Sequence, residues 1–387
     1  MSLNNFEFYN PTRIVFGKDT IKRLNDLIPE TAKVLIIIGG GSVRKNGTLT
    51  EVEEALNPRQ YEIFEGIEPN PIFETCMKAV EKIKEGKFDF ALGVGGGSVM
   101  DATKFIAAAV MYSGNCWEIV ESKGKNIQHV IPFGFLATLP ATGSEMNKNS
   151  VISRRETADK IGIANPLLYP IFSILDPTKT MTLPKHQIAN GLADSFVHVT
   201  EQYITYDIHA SVQDRFAEGL LLTLIEEGTE TFKHPEEYQS RANFVWAATL
   251  ALNGLLATGV PTDWATHMIG HELTILYGID HGRSLAIILP ALLNEMREDK
   301  KSKLLQYGRR VWGLKGSDEN AIIDQAIEKT REFFESLGIK THLRDYTQDD
   351  HVVEKVLEQL RRHHLTALGE RKNITLEVSR RILQASL

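Results

Sequence analysis

The stretch ATHMIGHELTILYGIDHGRS, residues 265–284, carries three of the chain's twelve histidines, His267, His271 and His281. His267 and His271 stand four residues apart, as do Asp194 and His198 in QIANGLADSFVHVTEQYIT. Residues at i and i+4 share one face of a helix, with Cβ atoms about 5–6 Å apart, so each pair can converge on one ion. A carboxylate with imidazoles suits divalent iron or zinc, and a catalytic ion keeps a further position open for water or substrate. Taken singly, each histidine reads more readily as a hydrogen-bonded core or surface residue. Two independent pairs, with a third histidine beyond the turn at Gly278, shift the reading to a metal centre. Met268 occupies the place where a zinc peptidase motif needs its glutamate, and Glu272 follows the second histidine instead. Hydrolysis is therefore not the first reading.

Two glycine loops offer a second chemistry. FALGVGGGSVMDATKFIAAA reads as a buried strand, a loop of Gly95, Gly96, Gly97 and Ser98, and a helix. Glycines let backbone N–H groups approach a phosphate, and the helix N-terminus adds partial positive charge. The loop lacks the Gly-Lys-Ser/Thr of a Walker motif, and Ser98 takes the last position of the Gly-x-Gly-x-x-Gly fingerprint, so a tight turn without a ligand accounts for this segment equally well. In VLIIIGGGSVRKNG, the loop of Gly39, Gly40, Gly41 and Ser42 has no acid between Lys33 and Glu51, and Arg44 and Lys45 lie close by. NAD sites place an acid against the ribose 2′-hydroxyl, whereas a 2′-phosphate needs donors and cations. The composition leans towards NADP, although such cations are more often simple solvated charges.

Positioning these residues takes two kinds of architecture. Apolar runs such as KVLIII (33–38) and FDFALGV (88–94) alternate with helical patterns up to about Pro184, the signature of βαβ units with a parallel sheet. Beyond it, segments such as DRFAEGLLLTLIEEGTETF repeat apolar residues every three to four positions, as amphipathic helices do. LDPTKTMTLPKHQ interrupts both patterns and sets the expected boundary, with an α/β dinucleotide-binding domain over 1–183 and an all-α metal-binding and catalytic domain over 184–387. At 387 residues two domains are the expectation. Lys plus Arg total 43 against 50 Asp plus Glu, a net charge of −7, which argues against nucleic acid as a partner. No apolar run approaches a membrane span. Cys76 and Cys116 are too few for a disulfide framework, and MSLNNFEFYN lacks the basic and apolar regions of a signal peptide, so a cytoplasmic protein is expected.

Taken together, NPTRIVFG, GGGSVMDATK, LPATGSEMN, ANGLADSFVH, THMIGHE and DHGRSLAIILP span nearly the whole chain and resemble the iron-containing alcohol dehydrogenases, in their NADPH-dependent butanol dehydrogenase and broad aldehyde reductase branch. The resemblance implies a dehydroquinate synthase-like architecture and reduction of short- or medium-chain aldehydes with NADP(H). It implies Asp194, His198, His267 and His281 as ligands of one divalent metal, iron by family default and zinc as the alternative. His271 would be the non-ligand histidine beside nicotinamide and substrate. Gly40, Gly41 and Ser42 would lie at the cofactor, Gly95, Gly96, Gly97 and Ser98 would form its diphosphate loop, and Thr138, Thr142, Ser144, Asn147 and Lys160 would add contacts. The chain departs from many members in placing Asp280 before the final ligand, where it could charge the metal's surroundings or pair with Arg283. Competing readings are an NAD-dependent polyol dehydrogenase, a dehydroquinate-synthase-like lyase, and a non-catalytic nucleotide-binding protein with a structural metal. A homodimer is the general expectation for such enzymes.

Overall fold

The computed structural model describes residues 2–387. Its strands, in chain order, are β1 (Arg13–Phe16), β2 (Val34–Ile38), β3 (Tyr61–Glu65), β4 (Phe90–Gly95), β5 (Phe133–Ala137), β6 (Asn149–Arg154), β7 (Asp159–Ala164) and β8 (Phe172–Leu175). Six of them form one sheet in the order β1-β8-β5-β4-β2-β3, with every pairing parallel. β2, β4, β5 and β8 are buried at every position, which is why they read as unbroken apolar runs rather than alternating ones. β6 and β7 pair separately as an antiparallel hairpin. Short helix α1 (Ser42–Lys45) follows β2, and α2 (Gly97–Met111) follows β4.

The second compact unit is helical. Its site-bearing helices are α3 (Lys185–Tyr203), α4 (Ala265–Tyr277) and α5 (His281–Glu295), with α6 (Val352–Arg362) further along the chain, and a two-stranded antiparallel ladder, β9 (Ala367–Leu368) with β10 (Ile374–Thr375), is its minor departure from an all-helical composition. α3 starts directly after Pro184 and is buried at every residue from Ile188 to Tyr203. Its polar residues therefore need partners inside the fold. α4 ends where Gly278 takes a left-handed φ of +66°, and α5 begins three residues later at His281.

One cut after residue 183 does not describe the packing. The α/β unit comprises Tyr9–Leu183 together with Pro235–Thr249, whereas residues 2–8 join the helical unit of Pro184–His234 and Leu250–Leu387. The physical reason for the 235–249 excursion is specific: Val245 packs into the sheet's core, and the Thr249 hydroxyl donates to the buried Glu145 carboxylate at 2.5 Å. Among the described residues no helix is long and apolar enough to cross a membrane.

Candidate metal centre and dinucleotide loops

In the helical unit, Asp194 Oδ1 lies 3.5 Å from His198 Nε2 and 3.6 Å from both His267 Nε2 and His281 Nε2. These separations exceed a hydrogen bond. Two ligands each about 2.1 Å from one ion at a tetrahedral angle stand about 3.4 Å apart, so the spacing fits a shared cation. Donor atoms of Asp194, His267 and His281 all fall within 4.8 Å of one another. His198 stacks on His267 with ring centroids 4.6 Å apart. His267 Nε2 is buried without a hydrogen-bond partner among the described residues, which is costly unless an ion occupies the space it faces.

Helix packing creates this convergence. Gly282, directly after His281, sits so close to α3 that a Cβ there would stand 2.2 Å from the Asn190 carbonyl oxygen, and a Cβ on Gly270 would stand 2.9 Å from Leu285 Cδ2. Glycine at both places lets α5 close on α3 and α4. Asp280 pairs with Arg283, at 3.6 Å, and accepts from Asn190 Nδ2 at 2.9 Å. That is the pairing alternative raised for this unusual residue.

Glu201, three residues after His198, escaped the sequence reading although it falls at i+7 from Asp194 on the same helix face. One carboxylate oxygen accepts from Thr266 N at 2.6 Å, capping α4, and the other meets His267 Nδ1. Both partners are buried. Burial pushes the Glu201 carboxyl up despite its neighbour's charge. Burial likewise opposes a charged His267 ring, but Glu201 and Asp194 hold its pKa up to about 9. A cation at Nε2 would displace that proton. A carboxylate behind a ligating imidazole fixes the tautomer that presents a bare nitrogen to metal. Trp264 was also missed. It takes φ +66° at the start of α4, with its ring edge-on to His267 at 5.5 Å.

His271 sits one turn further along α4, buried, with its ring 5.0 Å from that of His281 and 6.2 Å from that of His267. It is close to the cluster; the three-residue donor group of Asp194, His267 and His281 includes neither it nor His198, which instead stands 3.5 Å from Asp194. Glu272 turns away to meet His363 Nδ1 on the chain just after α6, at 2.7 Å.

In the α/β unit, both glycine loops leave the carboxyl ends of adjacent strands, with Ile38 opposite Val94. Gly95, Gly96 and Gly97 are demanded by packing, since added Cβ atoms would come within 2.5 Å of Val99, 3.0 Å of Leu139 and 2.6 Å of Thr142. The N-cap residue of α2, Gly96, has no side chain to close the helix start, and the first turn holds no acid, a start that suits an anion. Ser98 Oγ accepts from Asn70 N at 3.2 Å. Thr138 donates its N–H to Gly95 O at 2.9 Å. Ser144 Oγ bonds Asp101 at 2.7 Å, and Asn147 receives Lys104 Nζ on its side-chain oxygen at 3.0 Å; both are buried. Lys160, on β7, lies near enough to help hold the Asp101 carboxyl down against the larger effect of burial. These side chains thus frame the second loop through a buried network centred on Asp101 and Lys104. Around the first loop, Gly40 and Ser42 are exposed, and Gly41 takes φ +88°.

Comparison with known proteins agrees with this geometry. Residues 11–177 match the family model described as iron-containing alcohol dehydrogenase, and residues 188–383 match the C-terminal model of the Fe-containing alcohol dehydrogenase family. The chain is 53% identical to the NADPH-dependent aldehyde reductase YqhD of Escherichia coli, over 99% of this chain and 100% of that protein. The crystal structure of E. coli YqhD superposes with a TM-score of 0.98, covering 100% of both chains at 53% identity. That of the NADH-dependent butanol dehydrogenase A of Thermotoga maritima gives 0.94 at 33% identity, covering 100% of this chain and 99% of the other. With a donor cluster of the expected kind and family models matched across both units, this chain belongs to the iron-containing alcohol dehydrogenase family.

Proposed function

We propose that this protein reduces short- and medium-chain aldehydes reversibly to primary alcohols with NADPH, using one divalent metal, iron by family and zinc as the alternative. The observation that carries the reading is the convergence of Asp194, His198, His267 and His281, backed by Glu201. The E. coli relative named as an NADPH-dependent aldehyde reductase supports the substrate class and the cofactor.

When bound, a divalent cation supplies Lewis-acid stabilisation for charge developing on a carbonyl oxygen, and NADPH supplies the hydride. The chain's residues do the rest. Asp194 and the three histidines would hold the ion, while Glu201 would keep His267 in its ligating tautomer. Gly40, Gly41, Ser42, Gly95, Gly96, Gly97 and Ser98 would hold the dinucleotide, with Thr138, Thr142, Ser144, Asn147 and Lys160 shaping the second loop. Reduction of a carbonyl also requires one proton at its oxygen, and His271 would deliver it directly or through a water.

A cytoplasmic homodimer completes the proposal. Buried, unpaired Cys76 and Cys116 suit a reducing compartment. β1 is an edge strand whose Phe16 packs on Trp246 with both rings partly exposed, the kind of apolar edge a second copy covers. The test of function is NADPH oxidation with a panel of aldehydes before chelation, after it, and after add-back of iron or zinc. Turnover should vanish on chelation and return with metal; undiminished turnover in metal-free protein overturns the reading.

A further inference from the structure

The loop after β2 contains no acid, but the tertiary structure brings one to it. β2 and β3 pair in register with Ile38 opposite Glu65, so Glu65 emerges beside the Gly39–Ser42 loop. Its Oε2 accepts from Arg44 Nε at 2.8 Å, and a Cβ on Gly41 would lie 2.9 Å from its Oε1. β2 is the parallel neighbour of β4, whose glycine loop is the proposed diphosphate site. In open α/β dinucleotide folds, the end of that neighbouring strand is where the ribose 2′ position is read, by an acid for the hydroxyl or by an arginine for the phosphate. This chain sets one of each there, paired with each other.

We propose that Glu65 is a specificity-determining residue that narrows the chain's preference for NADPH over NADH; the proposal rests on the dinucleotide reading above. In the unliganded pair Glu65 occupies the guanidinium that a 2′-phosphate needs. Both side chains are half exposed, at 46% for Arg44 and 42% for Glu65, and exposed pairs hold their partners weakly, so Arg44 is free to change partner. A 2′-phosphate that recruits Arg44 then lies close to the Glu65 carboxylate and is repelled, whereas a ribose 2′-hydroxyl finds in it an acceptor. The acid that NAD-binding loops carry on the strand end is here supplied by the adjacent strand, and Gly41 leaves the space for it.

The test compares two ligands that differ only at the 2′ position, 5′-AMP and adenosine 2′,5′-bisphosphate, by calorimetric titration of the whole protein at low salt. Glu65→Gln should tighten the bisphosphate roughly three- to tenfold and leave 5′-AMP unchanged or slightly weaker, with the gain shrinking as salt rises. Arg44→Ala should weaken the bisphosphate alone, and should do so by a larger factor in the Glu65→Gln background, where Arg44 is no longer shared. The ratio of KM for NADPH to that for NADH should fall in Glu65→Gln. If both ligands bind the wild type but Glu65→Gln shifts them equally or not at all, Glu65 has no such role while the dinucleotide reading stands. If the wild type binds neither ligand nor either cofactor, the dinucleotide reading falls and this proposal with it.

Discussion

Glu201 grips the N-terminus of α4 with one carboxylate oxygen, through Thr266 N, and the ring of His267 with the other. A single buried side chain thereby fixes both where the helix begins and which nitrogen of its first histidine faces Asp194. Glutamine at this position keeps an oxygen for the cap but sets an NH2 group against Nδ1, which favours the tautomer with its proton on the metal-facing Nε2. Glu201→Gln is expected to weaken metal binding roughly 10–100-fold, with a small change in Tm. Competition against a chelator reads the affinity, and an unchanged value would refute the role.

His281 is the most exposed member of the cluster, its side chain 24% accessible, and it begins α5 rather than lying in its interior. His281→Ala should therefore lose most of the metal and nearly all turnover while circular dichroism shows an intact fold. Metal content by elemental analysis and the rate should fall together.

His271 lies beside the cluster, its ring 5.0 Å from that of His281. His271→Ala should retain stoichiometric metal and lower kcat, as expected of a group acting on the transition state. Parallel loss of metal would instead make it a ligand.

Gly282 meets backbone rather than a movable side chain, the Asn190 carbonyl. Gly282→Ala should cost about 1–3 kcal/mol of stability through overpacking and reduce metal occupancy, because α5 must shift and carry His281 with it. Thermal melting and metal analysis on one sample check both effects.

Gly40 is exposed, a Cβ there meets nothing within 4 Å, and its φ lies outside the left-handed region. A side chain is thus sterically admissible, and Gly40→Ala should be close to silent. Gly40→Asp should repel a 2′-phosphate and lower kcat/KM with NADPH by roughly ten- to hundredfold, sparing NADH. Equal losses with both cofactors, or a wild type that already prefers NADH, would contradict the NADP reading of GGGSVRK.

Helical spacing was enough to set Asp194 with His198, and His267 with His271, on shared faces, because an i, i+4 relation is local and needs no knowledge of the fold. Unbroken apolar runs such as Val34–Ile38 were enough to announce a buried parallel sheet, since strands covered on both faces cannot alternate. Glu201 was legible in principle by the same helical period and was overlooked. Other features had no local signal. That His267 and not His271 stands against Asp194 depends on how α4 lies on α3, and the closeness of α5 depends on Gly282 meeting a carbonyl ninety-two residues earlier in the chain. Arg44 and Glu65, twenty-one residues apart, meet only because parallel strands run in register, so a loop that reads as free of acid acquires one. The assignment of Pro235–Thr249 to the sheet's unit was likewise invisible, because a helix's period states which face is apolar but not which core receives it. Local periodicity decides what a segment becomes; which side chains then share a site is decided by packing between elements distant in sequence.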